Sequence, residues 1–304
     1  MKLNISNYDS SEKKSFPLGL IAGNGRFPII FAENAIKKGF RLFVAAYQNE
    51  ADEAINDYAE KIVWLNPGQV SKLLNFFRSG EVSSVVMLGG IKKTRMFTDI
   101  RPDLGAIKLL SALKNTHDDG ILRAFATLLE KEGFKVESST FLVPEILAEE
   151  GCWTKKKPGK SEKMDMNFGW KICKEIGRLD IGQSVVVAGG TVLAVEAADG
   201  TDATILRGGL LAKGNAVVVK LPKPDQDMRF DVPAVGPQTI ETMNKAGISH
   251  LVIEAGRTVC IDLQEMTRLA NHYGISISAL SGSVLSEGFE SESDKRSGKE
   301  PAEK

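Results

Sequence analysis

The 304-residue sequence predicts an α/β protein of two domains, with a parallel sheet in the first half and a mixed sheet in the second. Three observations carry this reading. Short apolar runs alternate with amphipathic segments through the first half, a glycine-centred hairpin signal stands near residue 189, and the composition breaks at the lysine-rich stretch 155–163.

The first apolar run, Leu18 to Ala22, meets Gly23-Asn24-Gly25 and then an amphipathic segment from Phe27 to Lys38, which reads as strand, tight turn and helix. Arg41 to Ala46, Lys61 to Leu65 and Ser83 to Leu88 predict three more strands, with a helix at Val70 to Phe77. Strands alternating with helices imply βαβ units, so this half is expected to form a Rossmann-like sheet with helices on both faces. Helical patterns follow at Leu104 to Leu113 and Gly120 to Glu132, then a short apolar run at Phe141 to Val143.

The second half opens with a helix at Met164 to Ile176. Ser184 to Val187 and Thr191 to Glu196 then flank Ala188-Gly189-Gly190 as a hairpin. Thr201 to Ala212, Gln238 to Ala246 and Leu263 to Tyr273 predict helices, while Asn215 to Leu221 and Ile275 to Ala279 predict strands. His250 to Glu254 with Thr258 to Ile261 reads as a strand pair. Hairpins mixed with crossovers give the mixed sheet. The expected division is a polar extension at 1–15, the Rossmann-like domain at 16–137, the second α/β domain at 138–282 with an exposed linker-like loop at 155–163, and a disordered tail at 283–304.

Lys plus Arg number 39 and Asp plus Glu number 39, so no net field draws the whole chain to nucleic acid, and any anion site must be local. Cys152, Cys173 and Cys260 are too few and scattered for a disulfide framework or a thiolate cluster, which fits a reducing cytosol. No signal peptide or membrane-spanning apolar window is read.

The Gly23-Asn24-Gly25-Arg26 turn could present backbone N–H groups to a phosphate or ribose at the sheet's carboxyl edge. It is not a complete G-x-G-x-x-G, because Pro28 stands at the third glycine, and no clear acid ends the second strand at Val44-Ala45-Ala46-Tyr47. Gly89-Gly90 ends the fourth strand and precedes Lys92, Lys93 and Arg95, a basic cluster suited to diphosphate oxygens or a solvated loop. His117-Asp118-Asp119 precedes a helix, where an aspartate would cap free N–H groups and His117 offers acid/base or metal chemistry. Lys220 to Asp231 crowds three acids and three bases into one segment. Read as extended from Gln226, it puts Asp227, Arg229 and Asp231 on one side, which suits a metal and a developing phosphate charge, although a solvated charged loop explains it too. Upstream, Glu196 ends a strand, with Thr201 or Asp202 as the N-cap of the next helix; Glu196 reads as a metal ligand, a ribose partner or half of a salt bridge. His250 and His272 lack ligand spacing.

In order along the chain, Leu20-Ile21-Ala22-Gly23-Asn24-Gly25-Arg26-Phe27-Pro28, His117-Asp118-Asp119, Asp180-Ile181-Gly182-Gln183, Glu196 through Asp202, Lys220 through Pro233 and Gly236-Pro237-Gln238-Thr239 resemble the LpxI-type UDP-2,3-diacylglucosamine diphosphatases of lipid A biosynthesis, which are unrelated to calcineurin-like phosphoesterases. The resemblance spans roughly Leu18 to Leu280. It implies magnesium dependence, cleavage of UDP-2,3-diacylglucosamine to UMP and 2,3-diacylglucosamine 1-phosphate, and an essential aspartate in the segment Gln226 to Asp231, here assigned to Asp227 ahead of Asp231. Asp225 stands where the resemblance leads one to expect glycine.

Under this reading the catalytic set is Asp227, Asp231, Arg229, Lys220 and Lys223, and the metal set is Asp227 and Asp231 with Glu196 or Asp202. The substrate set is Gly23, Asn24, Gly25, Arg26, Gly89, Gly90, Lys92, His117, Asp118 and Thr201. The chain is expected in the cytoplasm, touching the inner membrane surface to collect its lipid, and two acyl chains demand an apolar chamber, expected between the halves. A homo-oligomer stays open. The alternatives are a nicotinamide-dependent oxidoreductase, from the first half alone, and a non-catalytic sugar-nucleotide-binding protein.

Overall fold

The computed structural model describes residues 16–91, 101–111, 118–212 and 214–282. The expected extension at 1–15 and tail at 283–304 lie outside them. Contacts divide the chain into two compact units. Among the described residues, one holds those up to Pro144 together with Asp227–Asp231, and the other holds Glu145–Gln226 and those from Val232 onward. By these contacts the boundary falls after Pro144, against the expected 137, and the loop 155–163 lies inside the second unit.

In the first unit, β1 (Pro17–Ala22), β2 (Arg41–Tyr47), β3 (Lys61–Leu65), β4 (Ser84–Leu88) and β5 (Lys135–Val136) form a parallel sheet of order β3-β2-β1-β4-β5. That is the doubly wound order expected of βαβ units. β1, β2 and β4 are buried nearly throughout and read as continuous apolar runs for that reason. The helices are α1 (Phe27–Lys37), α2 (Val70–Ser79), α3 (Leu104–Ser111) and α4 (Asp118–Lys131). Ile21, Phe43, Ala45, Val85 and Met87 pack with Leu73, Leu74 and Phe77 of α2 and with Phe125, Ala126 and Leu129 of α4. α1 buries Pro28, Phe31, Ala32 and Ala35, a spacing of three and four that keeps them on one face. The run Phe141 to Val143 forms a turn, with Leu142 and Val143 buried.

In the second unit, β6 (Gly151–Cys152), β7 (Ser184–Ala188), β8 (Thr191–Val195), β9 (Val217–Lys220), β11 (His250–Glu254) and β13 (Ser276–Leu280) form a mixed sheet of order β6-β13-β11-β9-β7-β8. Period-two alternation sorts its side chains. Val185, Val187, Val217, Val219 and Val252 face Met166, Trp170, Cys173 and Ile176 of α5 (Lys160–Arg178). Val186, Val218, Leu251 and Ile253 pack with α6 (Gly200–Leu211), α7 (Pro237–Lys245) and α8 (Leu263–Tyr273) through Ile205, Ile240, Met243, Met266 and Leu269.

The hairpin is built as expected. Gly189 and Gly190 both have positive φ, 55° and 71°, the requirement of a two-residue type I′ turn, and their N–H groups donate to the buried Asp165 carboxylate at 2.8 and 2.7 Å. One expected pairing is overturned. β11 does not pair with the following strand; β12 (Val259–Cys260) pairs in parallel with β10 (Ala234–Val235), while β11 lies between β9 and β13. A five-residue strand buried throughout needs a ladder on both edges, which two residues cannot supply.

Candidate functional site

Two places in the first unit gather residues expected to carry chemistry. At the carboxyl edge of the sheet, the glycine turns after β1 and β4 cross each other. Gly23 N–H donates to Leu88 O and Asn24 N–H to Gly90 O, each at 2.8 Å. The approach excludes side chains. A Cβ on Gly23 would stand 2.4 Å from the Gly90 oxygen, and one on Gly89, at φ +76°, would stand 2.3 Å from the Asn24 oxygen. The amides of Gly23 and Asn24 are therefore spent on protein carbonyls, which corrects the expectation that they face a phosphate.

The Asn24 side chain accepts from Gly90 N–H at 3.3 Å and donates through Nδ2 to Glu50 at 3.1 Å. Glu50 follows β2 by three residues, so an acid does reach the strand ends, although none ends the strand itself. Beside it a cleft of about 510 Å³ is lined by Gly25, Arg26, Ile29, Glu50, Asp52 and Ala54. Lys92 and His117 lie outside the described residues; Asp118 opens α4, and its side chain is likewise outside them.

The second place is the turn Asp227–Asp231. It is not extended: Phe230 N–H and Asp231 N–H both donate to Asp227 O, at 3.3 and 3.0 Å. Asp227 and Asp231 thus share a side because they stand four residues apart on one helical turn, not through period-two alternation. The cause is local. The Asp227 carboxylate accepts from the Arg229 backbone N–H at 3.1 Å, a side-chain turn that an extended chain could not close.

Arg229 folds back on the same carboxylate, with Nε at 3.0 and 3.2 Å and Nη2 at 2.8 Å, and reaches Glu130 of α4 with Nη1 at 2.6 Å. Arg229 O accepts from Ser139 N–H at 2.7 Å, and Phe230 packs against the first unit's core. These contacts hold a segment from the second half of the sequence on the first unit. The Arg229 guanidinium keeps the Asp227 carboxyl below the ordinary aspartate range against the opposing effect of burial, and Asp227 in turn raises Arg229. Asp227 is ionised at neutral pH and largely shielded, its side chain 19% exposed.

The remaining expected residues lie in the second unit, each with a structural partner. Buried Lys220, the last residue of β9, donates to Ala234 O at 2.9 Å, and Lys223 pairs with Asp180 at 2.5 Å. The buried Glu196 carboxylate accepts from the hydroxyls of Ser184 on β7 at 2.5 Å and Thr201 on α6 at 3.2 Å, so it is a hydrogen-bond acceptor for the neighbouring strand and the following helix rather than half of a salt bridge. Asp202 is exposed on the first turn of α6. The N-cap of α6 is Asp199, not Thr201 or Asp202, and its carboxylate accepts from Ala197 N–H and pairs with Arg207, which lowers its pKa.

Among the described residues, no group of three or more His, Cys, Asp or Glu side chains is gathered to hold one metal ion. Magnesium commonly takes one or two carboxylates and completes its shell with water and substrate phosphate. Asp227 and Asp231, one turn apart, fit that mode. Glu130 and Ser139, which brace the turn, and Glu50 were not foreseen; each depends on contacts between segments remote in sequence.

The fold and the site define an α/β protein of two units whose acidic turn is carried by the doubly wound one. Residues 17–146 match the family model of the LpxI N-terminal domain, and residues 149–278 match that of the LpxI C-terminal domain. The chain belongs to the LpxI family. A relative from Caulobacter vibrioides, named UDP-2,3-diacylglucosamine pyrophosphatase LpxI, is 33% identical over 271 residues, covering 86% of this chain and 96% of the relative. A solved structure of CobK precorrin-6A reductase aligns at a TM-score of 0.31 and 10% identity over 92% of this chain and 97% of that one, a likeness too slight to carry any argument.

Proposed function

We propose that this protein hydrolyses the diphosphate of UDP-2,3-diacylglucosamine, giving UMP and 2,3-diacylglucosamine 1-phosphate for lipid A biosynthesis. The observation that carries the reading is the match along 96% of a relative named for pyrophosphatase action on that compound. An ionised carboxylate and a guanidinium held together on one braced turn supply the chemistry such a reaction asks of a protein.

One water adds across the P–O–P bridge, one P–O bond forms and one breaks, and each product leaves as a phosphomonoester. Asp227 presents a shielded negative charge, and Asp231 stands on the same side of the turn. Together they would hold a divalent cation, magnesium in the first instance, which when bound would polarise the diphosphate and offset the charge of the leaving oxygen. Arg229 positions Asp227 through its three guanidinium contacts and offers a cation to phosphate oxygens. Within the first unit, Gly25, Arg26, Gly90, Lys92, His117 and Asp118 are the proposed substrate contacts.

Among the described residues no helix is long and apolar enough to cross a membrane. A cytoplasmic enzyme that touches the inner membrane surface to collect its lipid fits the proposed substrate. The test is incubation of the purified protein with UDP-2,3-diacylglucosamine and magnesium. The expected result is UMP and the diacylglucosamine phosphate in equal amounts, and the absence of UMP would overturn the reading.

A further inference from the structure

We propose that the cleft beside Glu50 is a ribonucleotide subsite in which the Glu50 carboxylate accepts the ribose hydroxyls. The identity of the nucleotide, uridine 5′-phosphate, rests on the hydrolase reading above; the class of ligand rests on the cleft itself.

Position comes first. The cleft lies at the carboxyl edge of the parallel sheet, against the segments that follow β1 and β2. The order β3-β2-β1-β4-β5 turns back between β1 and β4, and the cleft lies next to that point, over the carboxyl ends of β1 and β2, the edge at which open doubly wound sheets bind their ligands. Size agrees, since about 510 Å³ falls within the span of roughly 300–1,000 Å³ usual for small-molecule sites.

Chemistry narrows the ligand. Carboxylate oxygens are acceptors, so Glu50 selects a donor such as a vicinal diol and disfavours a phosphate at the same spot. Arg26, lining the same cleft, supplies the opposite charge, and Ile29 and Ala54 give it apolar wall. A diol donor, an anion and a flat apolar body together describe a ribonucleotide.

Rigidity separates Glu50 from the other acid. Asp52 is committed to its own turn, where its carboxylate accepts from Ala54 N–H at 2.9 Å and caps the short 3₁₀ helix Glu53–Tyr58. Glu50 is instead held from across the sheet edge by Asn24, whose amide is itself fixed by Gly90 N–H. Three strand-end segments therefore converge on one carboxylate. A carboxylate fixed before binding loses little freedom when it meets a ligand. The plain alternative is a clamp between loops with no ligand, and it makes a different prediction: replacing Glu50 would lower stability and leave nucleotide discrimination untouched.

The test is titration calorimetry of the full chain with UMP and with 2′-deoxy-UMP, using the wild type, Glu50→Gln and Ala54→Trp. A hydrogen bond to a charged group is worth about a 10- to 100-fold change in affinity. Wild type is expected to bind UMP at least ~10-fold more tightly than the deoxy form, and Glu50→Gln to lose that preference by weakening UMP alone. Ala54 is exposed on the cleft wall, so Ala54→Trp should block both nucleotides without lowering the thermal midpoint, which guards against a Glu50 variant that simply misfolds. Equal affinity of the wild type for the two nucleotides, or UMP binding unchanged in both variants, would overturn the subsite. So would the absence of UMP binding. In each of those cases release of UMP from UDP-2,3-diacylglucosamine by the wild type would leave the hydrolase reading standing, whereas discrimination without any hydrolysis would remove that reading and keep the cleft as a ribonucleotide site.

Discussion

Asp227→Asn isolates the charge of the candidate catalytic carboxylate, because asparagine keeps the acceptor that closes the turn onto Arg229 N–H. What is lost is the charge assistance of three guanidinium contacts between 2.8 and 3.2 Å. Buried, such bonds would each be worth about 1.5–3 kcal/mol. Arg229, however, is 39% exposed and keeps its bond to Glu130, so solvent screening brings the stability loss down to about 1 kcal/mol. For a unit of this size that lowers the thermal midpoint by roughly 2–4 °C. A protein with an ordinary margin of about 5–15 kcal/mol stays folded at 25 °C after such a loss. Turnover should respond far more, since removing one group aimed at transition-state charge typically costs about 10²–10³ in kcat. The assay pairs a thermal melt with initial rates of UMP release at 25 °C. Near wild-type turnover, or a rate that falls only in step with the folded fraction, would refute the assignment.

Other outcomes follow from the same geometry. Activity should vanish when a chelator is added to a metal-free preparation and return with magnesium, because the candidate ligands are hard oxygen donors; full turnover in excess EDTA would contradict this. The Asp227–Arg229 pair should shape acid stability. Asp227 has a depressed pKa in the folded state, so its contribution is complete above the ordinary aspartate value of 3.8 and is lost as pH falls through the lower folded value. Denaturant midpoints of wild type and Asp227→Asn should differ by a constant amount above about pH 5 and converge below 3.8, and a gap that widens in acid would show the sign to be wrong. Gly89→Ala should destabilise by about 1–3 kcal/mol, since φ is +76° and a Cβ there would stand 2.3 Å from the Asn24 oxygen; an unchanged melting curve would mean that the crossing of the two turns is loose.

Much of the fold was legible in the sequence because its strands are long, apolar and sharply bounded. Lys61–Leu65, His250–Glu254 and the helix Leu263–Tyr273 stand at the limits that periodicity indicates. The two-residue strands Ala234–Val235 and Val259–Cys260 were not legible as partners, since no period can be read from two residues. The site divides in the same way. That acids and a guanidinium cluster at Asp227–Asp231 was visible, but alternation and a single helical turn both bring Asp227 and Asp231 to one side, and spacing does not choose between them. The bond from Arg229 N–H to the Asp227 carboxylate decides it, and aspartate's habit of closing such turns was the available clue. That this turn is held by Glu130 and Ser139, roughly 90 to 100 residues earlier, is a tertiary fact without a local signature. The fate of the Gly23 and Asn24 amides is another, because the carbonyls that accept from them belong to the end of β4 and the turn after it, more than 60 residues away.

The central claim is that this chain opens a diphosphate and that Asp227 is required for it. A phosphorus NMR time course of the purified protein with UDP-2,3-diacylglucosamine and magnesium tests both parts at once. The account predicts that the two coupled diphosphate resonances decay together while two phosphomonoester resonances of equal area appear, and that Asp227→Asn leaves the diphosphate intact over the same interval. Persistence of the diphosphate with wild type, release of UDP in place of UMP, or equal decay with the variant would contradict it.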